Sequence, residues 1–230
     1  MNDPNREQLT VAAQLLRPLL GELVFVGGCA TGLLITDPGA GDPRSTLDVD
    51  AIAEITSYAE YVEFGARLRE LGFAEDSSED ALLCRWVQDR TILDVMPLDE
   101  KILGFSNRWY RDAMTSSVTH KLADDLDIRI LTAPFFIATK LDAFKGRGRG
   151  DLLLSPDLED VITVVDGRAS LLAEVRAEAA DLQLYIRTEI GGLLAAAGFL
   201  NALPGYLLPD AASQARIAIV LERLKELASR

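Results

Sequence analysis

Leu23-Val24-Phe25-Val26-Gly27-Gly28-Cys29-Ala30-Thr31-Gly32-Leu33-Leu34-Ile35 opens the stretch that decides the fold, and Arg44-Ser45-Thr46-Leu47-Asp48-Val49-Asp50-Ala51-Ile52 closes it after a loop rich in Gly, Pro and Asp. The apolar run Leu23–Val26 reads as a strand ending at the glycine pair, and Cys29–Ile35 has the small, apolar character of a short buried helix. Glycine at such a turn permits unusual backbone angles and leaves no side chain to keep a phosphate from the amides of a helix N-terminus. Leu47–Ile52 reads as a second strand. Its alternation puts Asp48, Asp50 and Ile52 on one face and Leu47, Val49 and Ala51 on the other. Two carboxylates then point the same way, about 7 Å apart along the strand, which makes a hard-cation site lacking a third oxygen ligand.

Outward from that stretch, composition bounds the chain. Its 230 residues are enough to bury a substantial core, and 49% hydrophobic content makes it globular. No charged-then-apolar leader and no uninterrupted membrane-spanning run is present in the sequence. Cys29 and Cys84 lie in apolar segments without metal spacing, which reads as two core thiols of a reduced, cytoplasmic protein. A formal charge of −13 argues against broad adhesion to nucleic acid or anionic membrane, leaving only local basic patches for such contacts.

Before the glycine turn, Arg6–Leu20 carries apolar residues at helical spacing and stops at Gly21. After the aspartate strand, Ser57–Leu71 reads as a helix, and Ala81–Val87 and Thr91–Met96 as a hairpin about Asp89-Arg90. In the second hairpin strand Asp94 lies between Leu93 and Val95, where a carboxylate is expensive to bury unless paired or bound to a cation. Ser116–Leu122 and Leu126–Leu131 are further strands, and His120, the only histidine, reads as an ordinary half-exposed side chain. From Thr132-Ala133-Pro134 the pattern becomes helical, over Pro134–Lys145, Pro156–Val165, Ser170–Thr188, Ile190–Leu200 and Ala211–Ala228.

The glycine pair followed by Arg44-Ser45-Thr46-Leu47-Asp48-Val49-Asp50 resembles the signature of the nucleotidyltransferase superfamily with the DNA polymerase β fold. More narrowly, it resembles the AbiEii and MenT-type toxin nucleotidyltransferases. That resemblance implies an α+β fold, with a nucleotidyltransferase core over 1–131 as a mixed sheet with flanking helices, and a helical domain over 132–230 completing the active site. It implies Mg²⁺ (or Mn²⁺) held by Asp48, Asp50 and Asp94, with an NTP as substrate. Gly27, Gly28, Thr31 and Arg44 are the expected nucleotide contacts. In the helical half, Lys140 matches the lysine of an Ala-x-Lys helix, and Asp157 and Asp160 match paired aspartates of the next helix. Lys140 is then a point charge for a triphosphate, and the bland alternative is a snorkelling lysine beside helix-start aspartates. The implied activity is transfer of an NMP to a hydroxyl of tRNA, a protein or a small molecule, with a toxin role and an antitoxin partner in prospect. The alternative is a catalytically silent nucleotide-binding module. Lys145, Arg147 and Arg149 form the basic cluster available to an RNA.

Overall fold

The computed structural model describes residues 3, 5–79, 81–147 and 151–229. The strands are β1 (Leu23–Val26), β2 (Val49–Ala53), β3 (Ala74–Glu75), β4 (Arg85–Gln88), β5 (Thr91–Met96), β6 (Val118–Ala123) and β7 (Leu126–Ile130). They form one mixed sheet in the order β3-β4-β5-β2-β1-β7-β6. β1 runs antiparallel to β2 and parallel to β7, and β2 runs parallel to β5. β4–β5 and β6–β7 are hairpins. The turn between β4 and β5 falls on Asp89-Arg90 as the sequence predicts, with Asp89 in the left-handed region at φ 52°.

The longer helices are α1 (Arg6–Leu15), α3 (Tyr58–Glu70), α6 (Ala133–Arg147), α7 (Pro156–Gly167), α8 (Leu171–Ala177), α9 (Ala180–Ala195) and α12 (Ile217–Ala228). Single-turn or two-turn pieces are α2 (Thr31–Leu34), α4 (Glu100–Leu103), α5 (Tyr110–Thr115), α10 (Phe199–Ala202) and α11 (Ala211–Ala215). The first helix stops five residues before the expected Leu20, and a 3₁₀ segment, Arg17–Glu22, follows it. Pro18 explains this, since it has no N–H to donate and its ring clashes with the preceding turn. The predicted helix Ser170–Thr188 is two helices, because Glu178 and Ala179 are extended (ψ 171° and 148°). Its second part continues unbroken through Thr188-Glu189-Ile190. Local propensity carries no signal there, as every residue from Glu174 to Ala180 tolerates a helix; packing of α9 against α6 and α12 sets the break instead.

Two compact units result. One comprises Pro4–Ala30 and Ser45–Thr132, and contains the whole sheet. Its core is built from Leu9, Leu16, Leu23, Phe25, Ile52, Leu68, Trp86 and Leu93, all essentially inaccessible. α3 is anchored there by a capping box, in which the Ser57 side chain accepts from the Glu60 N–H and the Glu60 carboxylate accepts from the Ser57 N–H. Gly65 on α3 lets the indole of Trp86 approach, since a Cβ there would lie 3.0 Å from the ring.

The other unit comprises Met1–Asp3, Thr31–Arg44 and Ala133–Arg230. α7 lies against α6, α2 and α12 within it. Gly167, at the end of α7, meets Ile35 so closely that a Cβ would sit 2.6 Å from a side-chain methyl. Among the described residues no helix is long and apolar enough to cross a membrane.

Trp86→Ala is expected to destabilise the sheet unit by about 3–5 kcal/mol, the usual range for emptying a buried aromatic site. Urea unfolding followed by far-UV circular dichroism measures this, with an unchanged slope showing that the change lies in stability.

Candidate active site

In the sheet unit, register assembles the acidic residues. Val26 pairs with Asp50 across β1–β2, Asp50 with Asp94 across β2–β5, and Asp94 with Arg85 across β5–β4. Residues opposite one another in a sheet share a face. Asp50, Asp94 and Arg85 therefore form one row. Asp48, two residues before Asp50, joins it just ahead of β2, and the nearest carboxylate oxygens of Asp48, Asp50 and Asp94 all lie within 4.8 Å of one another. The parallel pairing of β2 with β5 produces that closeness, which the spacing along one strand could not supply.

Gly27 permits the approach from the other side. Its φ is 70°, and a Cβ there would lie 1.8 Å from Oδ2 of Asp50, so the Asp50 carboxylate lies over a position that any other residue would fill. Asp48 is oriented by Thr46, whose hydroxyl donates to Oδ1 at 2.6 Å. Thr46 is in turn held by buried Asn5, whose Oδ1 accepts from the Thr46 N–H at 2.9 Å.

Arg85 joins the site although it is not among the residues the motif leads one to expect. Its Nε donates to Asp94 Oδ1 at 2.8 Å, and its Nη2 to Asp94 Oδ2 at 2.7 Å and to Asp48 Oδ2 at 3.0 Å. Asp94 is only 3% exposed, and the two-pronged guanidinium contact is what makes burial of its charge tolerable. The signal available was the hairpin register: with the turn at Asp89-Arg90, Arg85 falls opposite Asp94. Cys84 lies beside this row, and burial first, then the Asp94 and Asp50 carboxylates, push its thiol up to about 12. A thiol so disfavoured as thiolate is no nucleophile at neutral pH. His120 on β6 is held below the usual imidazole range by burial and by Arg6, and so is largely neutral at pH 7.

The helical unit holds the remaining expected residues except the glycine pair. Lys140 on α6 is 6% exposed, and its Nζ lies 2.6 Å from Asp160 Oδ2 and 3.3 Å from Asp157 Oδ1, with the Phe136 ring centroid 5.8 Å away. Arg44 closes the group, donating from Nε and Nη2 to the two oxygens of Asp160 at 3.0 and 3.1 Å. Asp157 and Asp160 are both buried on the first turns of α7, whose Ser155 cap accepts from the Leu158 N–H. They are thus neither exposed helix-start charges nor a separate pair. Among the described residues, Lys140 and Arg44 thus face Asp157 and Asp160, with Glu159 also near Arg44. Thr31 is fully buried on α2, and its Oγ1 has no hydrogen-bond partner among the described residues.

Arg44 also lines a cavity of about 460 Å³ within this unit. One stripe of α7 (Glu159, Ile162, Thr163, Asp166) forms a wall, and Tyr206–Pro209 another. Burial raises the Glu159 carboxyl above its ordinary range, against the pull of Arg44. Of the basic cluster, Lys145 is paired with Glu189 at 2.7 Å and sits 5.7 Å over the Tyr185 ring, while Arg149 lies outside the described residues.

No protein-family model matches the sequence, and no curated protein matches it either. Solved structures do. The chain is similar to an antigenic nucleotidyltransferase-like protein from Paracoccidioides brasiliensis at 19% identity and a TM-score of 0.53, over 86% of this chain and 93% of that one. It is also similar to JHP933 from Helicobacter pylori at 12% identity and a TM-score of 0.50, over 99% and 93% of the two chains. The chain has a nucleotidyltransferase-like fold, an α+β arrangement around a seven-stranded mixed sheet.

Two outcomes follow from the geometry. Lys140→Ala is expected to destabilise the protein by about 3–5 kcal/mol, as removal of one partner leaves buried charge uncompensated; a surface phosphate-binding lysine would leave denaturant midpoints unmoved. At pH 8 a chromogenic thiol reagent should react slowly with the native protein and rapidly with two thiols per chain after unfolding, since Cys29 and Cys84 are both buried.

Proposed function

We propose that the protein is a divalent-metal-dependent nucleotidyltransferase that moves a nucleoside monophosphate from an NTP to an acceptor hydroxyl and releases pyrophosphate. One observation carries this reading: three carboxylates, on and just ahead of two parallel-paired strands, converge within 4.8 Å at a glycine turn, on a nucleotidyltransferase-like fold. The donor set fits the ion. Three hard oxygen donors suit Mg²⁺ or Mn²⁺, which are commonly bound by few carboxylates plus substrate phosphates. A cation held by Asp48, Asp50 and Asp94 would neutralise triphosphate charge and assist departure of pyrophosphate.

The chain's own residues do the rest. Gly27 keeps the approach to Asp50 clear of any side chain, and the turn Gly27-Gly28 leads into backbone amides suited to phosphate. Thr46 and Asn5 hold Asp48 in its orientation before any ligand arrives, which removes part of the ordering cost from substrate binding. Lys140, Asp157 and Asp160 serve nucleotide use as a balanced group that orients Arg44. Thr31 is proposed as a nucleotide contact on the motif alone, its side chain being fully buried. No covalent protein nucleophile is needed, in keeping with the protonated Cys84 thiol.

The motif Arg44–Asp50 supports the toxin-type subgroup, with tRNA or protein as acceptor and an antitoxin as partner. The formal charge of −13 favours a protein or small-molecule hydroxyl over RNA. A second reading, a nucleotide-binding module without chemistry, is favoured by the Arg85 guanidinium lying among the carboxylates.

Incubation with each α-labelled NTP, Mg²⁺ and separate cell fractions of RNA, protein and metabolites tests the reading: label should enter one fraction with release of pyrophosphate. Asp48→Asn and Asp50→Asn should each reduce transfer well beyond tenfold, more than about 1.4 kcal/mol of barrier. Transfer by both variants within tenfold of wild type overturns the assignment, and label in no fraction favours the silent module.

A further inference from the structure

Arg85 presents its guanidinium to two of the three carboxylates that the proposed function assigns to a divalent cation. The contacts are unequal. Asp94 is gripped by two bonds at 2.8 and 2.7 Å, with its side chain 4% exposed, whereas Asp48 receives a single bond at 3.0 Å and is 32% exposed. The guanidinium fork matches a carboxylate geometrically, and dissolving the Asp94 pair would leave a buried carboxylate without its counter-charge. Breaking the Asp48 contact exchanges one bond for water. Arg85 itself is fixed in place by register, since β4 pairs with β5 through Arg85 and Asp94.

We infer that Arg85 is a resident cation that competes with the metal: it keeps the nucleotide-free protein poorly loaded, and the divalent ion enters with the triphosphate by displacing Arg85 from Asp48 while the Asp94 pair stays intact. The charges require this order. A doubly charged ion close to Asp48 also lies close to a permanently protonated guanidinium, and like charges in a partly desolvated site repel strongly. Triphosphate oxygens arriving with the ion carry the negative charge that offsets this repulsion. Arg85 is thus a positioning residue for Asp94 and a gate on Asp48, and this role rests on the metal reading given above.

The test reads metal binding directly. Mn²⁺ binding to the full chain is followed by electron paramagnetic resonance and calorimetry, without nucleotide and with α,β-methylene analogues of ATP, GTP, CTP and UTP. Without nucleotide, Arg85→Gln should bind Mn²⁺ at least tenfold more tightly than wild type. The analogue that binds should narrow this gap by strengthening the wild type more than the variant. Arg85→Lys keeps the charge without the fork and should stay within a few-fold of wild type. If Arg85→Gln is too unstable without metal to titrate, its melting temperature should rise with Mn²⁺ far more than that of wild type.

Equal or weaker Mn²⁺ binding by Arg85→Gln overturns the inference, with Arg85 then a brace for the metal site. Gain by Arg85→Lys equal to that of Arg85→Gln also overturns it, because charge would not be the cause. Wild-type binding of Mn²⁺ with an analogue, without any gain in Arg85→Gln, sinks the gate alone. If neither protein binds Mn²⁺ with any analogue, the metal reading fails as well.

Discussion

Burial of a carboxylate in the middle of a sheet is the constraint around which the sheet unit is arranged. Asp94 sits on β5 between two neighbouring strands, almost wholly removed from water, where an isolated charge would be expelled or protonated. Antiparallel pairing with β4 brings Arg85 opposite it, and parallel pairing with β2 brings Asp50 to its other side. One interaction therefore links strand register, the tolerance of a buried charge and the geometry of the candidate metal ligands. A slip of one residue in β4 would turn Arg85 to the other face and strand Asp94 without compensation.

The helical unit meets the same difficulty with a different device. Asp157 and Asp160 are buried on α7, and Lys140 from α6 with Arg44 from the preceding loop neutralise them. Further along α7, Asp166 is held by Arg216 from the start of α12, which also reaches Asp37. The Arg216 hydrogen bond, aided by the Gly39 N–H, holds the Asp37 carboxyl below its ordinary range. Among the described residues, the buried Asp94, Asp157, Asp160 and Asp166 are each paired with an arginine or a lysine. Such pairs contribute less to net stability than to the choice of one arrangement, since their desolvation offsets much of the attraction.

Similarity to solved nucleotidyltransferase-like structures at 12–19% identity is a similarity of fold. At that distance most side chains differ, and what two chains share is the order and pairing of elements. Function then has to be argued from the site. In this site a glycine turn accommodates Asp50, a threonine and an asparagine orient Asp48, and an arginine pairs with Asp94 and reaches Asp48.

The glycine turn, the two aspartates on one face and the hairpin about Asp89-Arg90 were all readable in the sequence, because turn chemistry and strand alternation are local properties. So was the expense of burying Asp94, which follows from its apolar neighbours alone. The end of α1 is also local, set by Pro18, although apolar spacing alone carried the expected helix on to Leu20. The grouping of residues 31–44 with the C-terminal helices was not readable in the sequence, since no composition shift marks that segment. Nor was the balance of Lys140 against Asp157 and Asp160, because each residue by itself suits an exposed helix. The convergence of Asp48, Asp50 and Asp94 within 4.8 Å, and the guanidinium set among them, were decided only by tertiary structure. Pairing β2 with β5 and β5 with β4 together sets Arg85 against Asp48, 37 positions away, and against Asp94, 9 positions away, and electrostatic compensation at that range depends on which strands become neighbours.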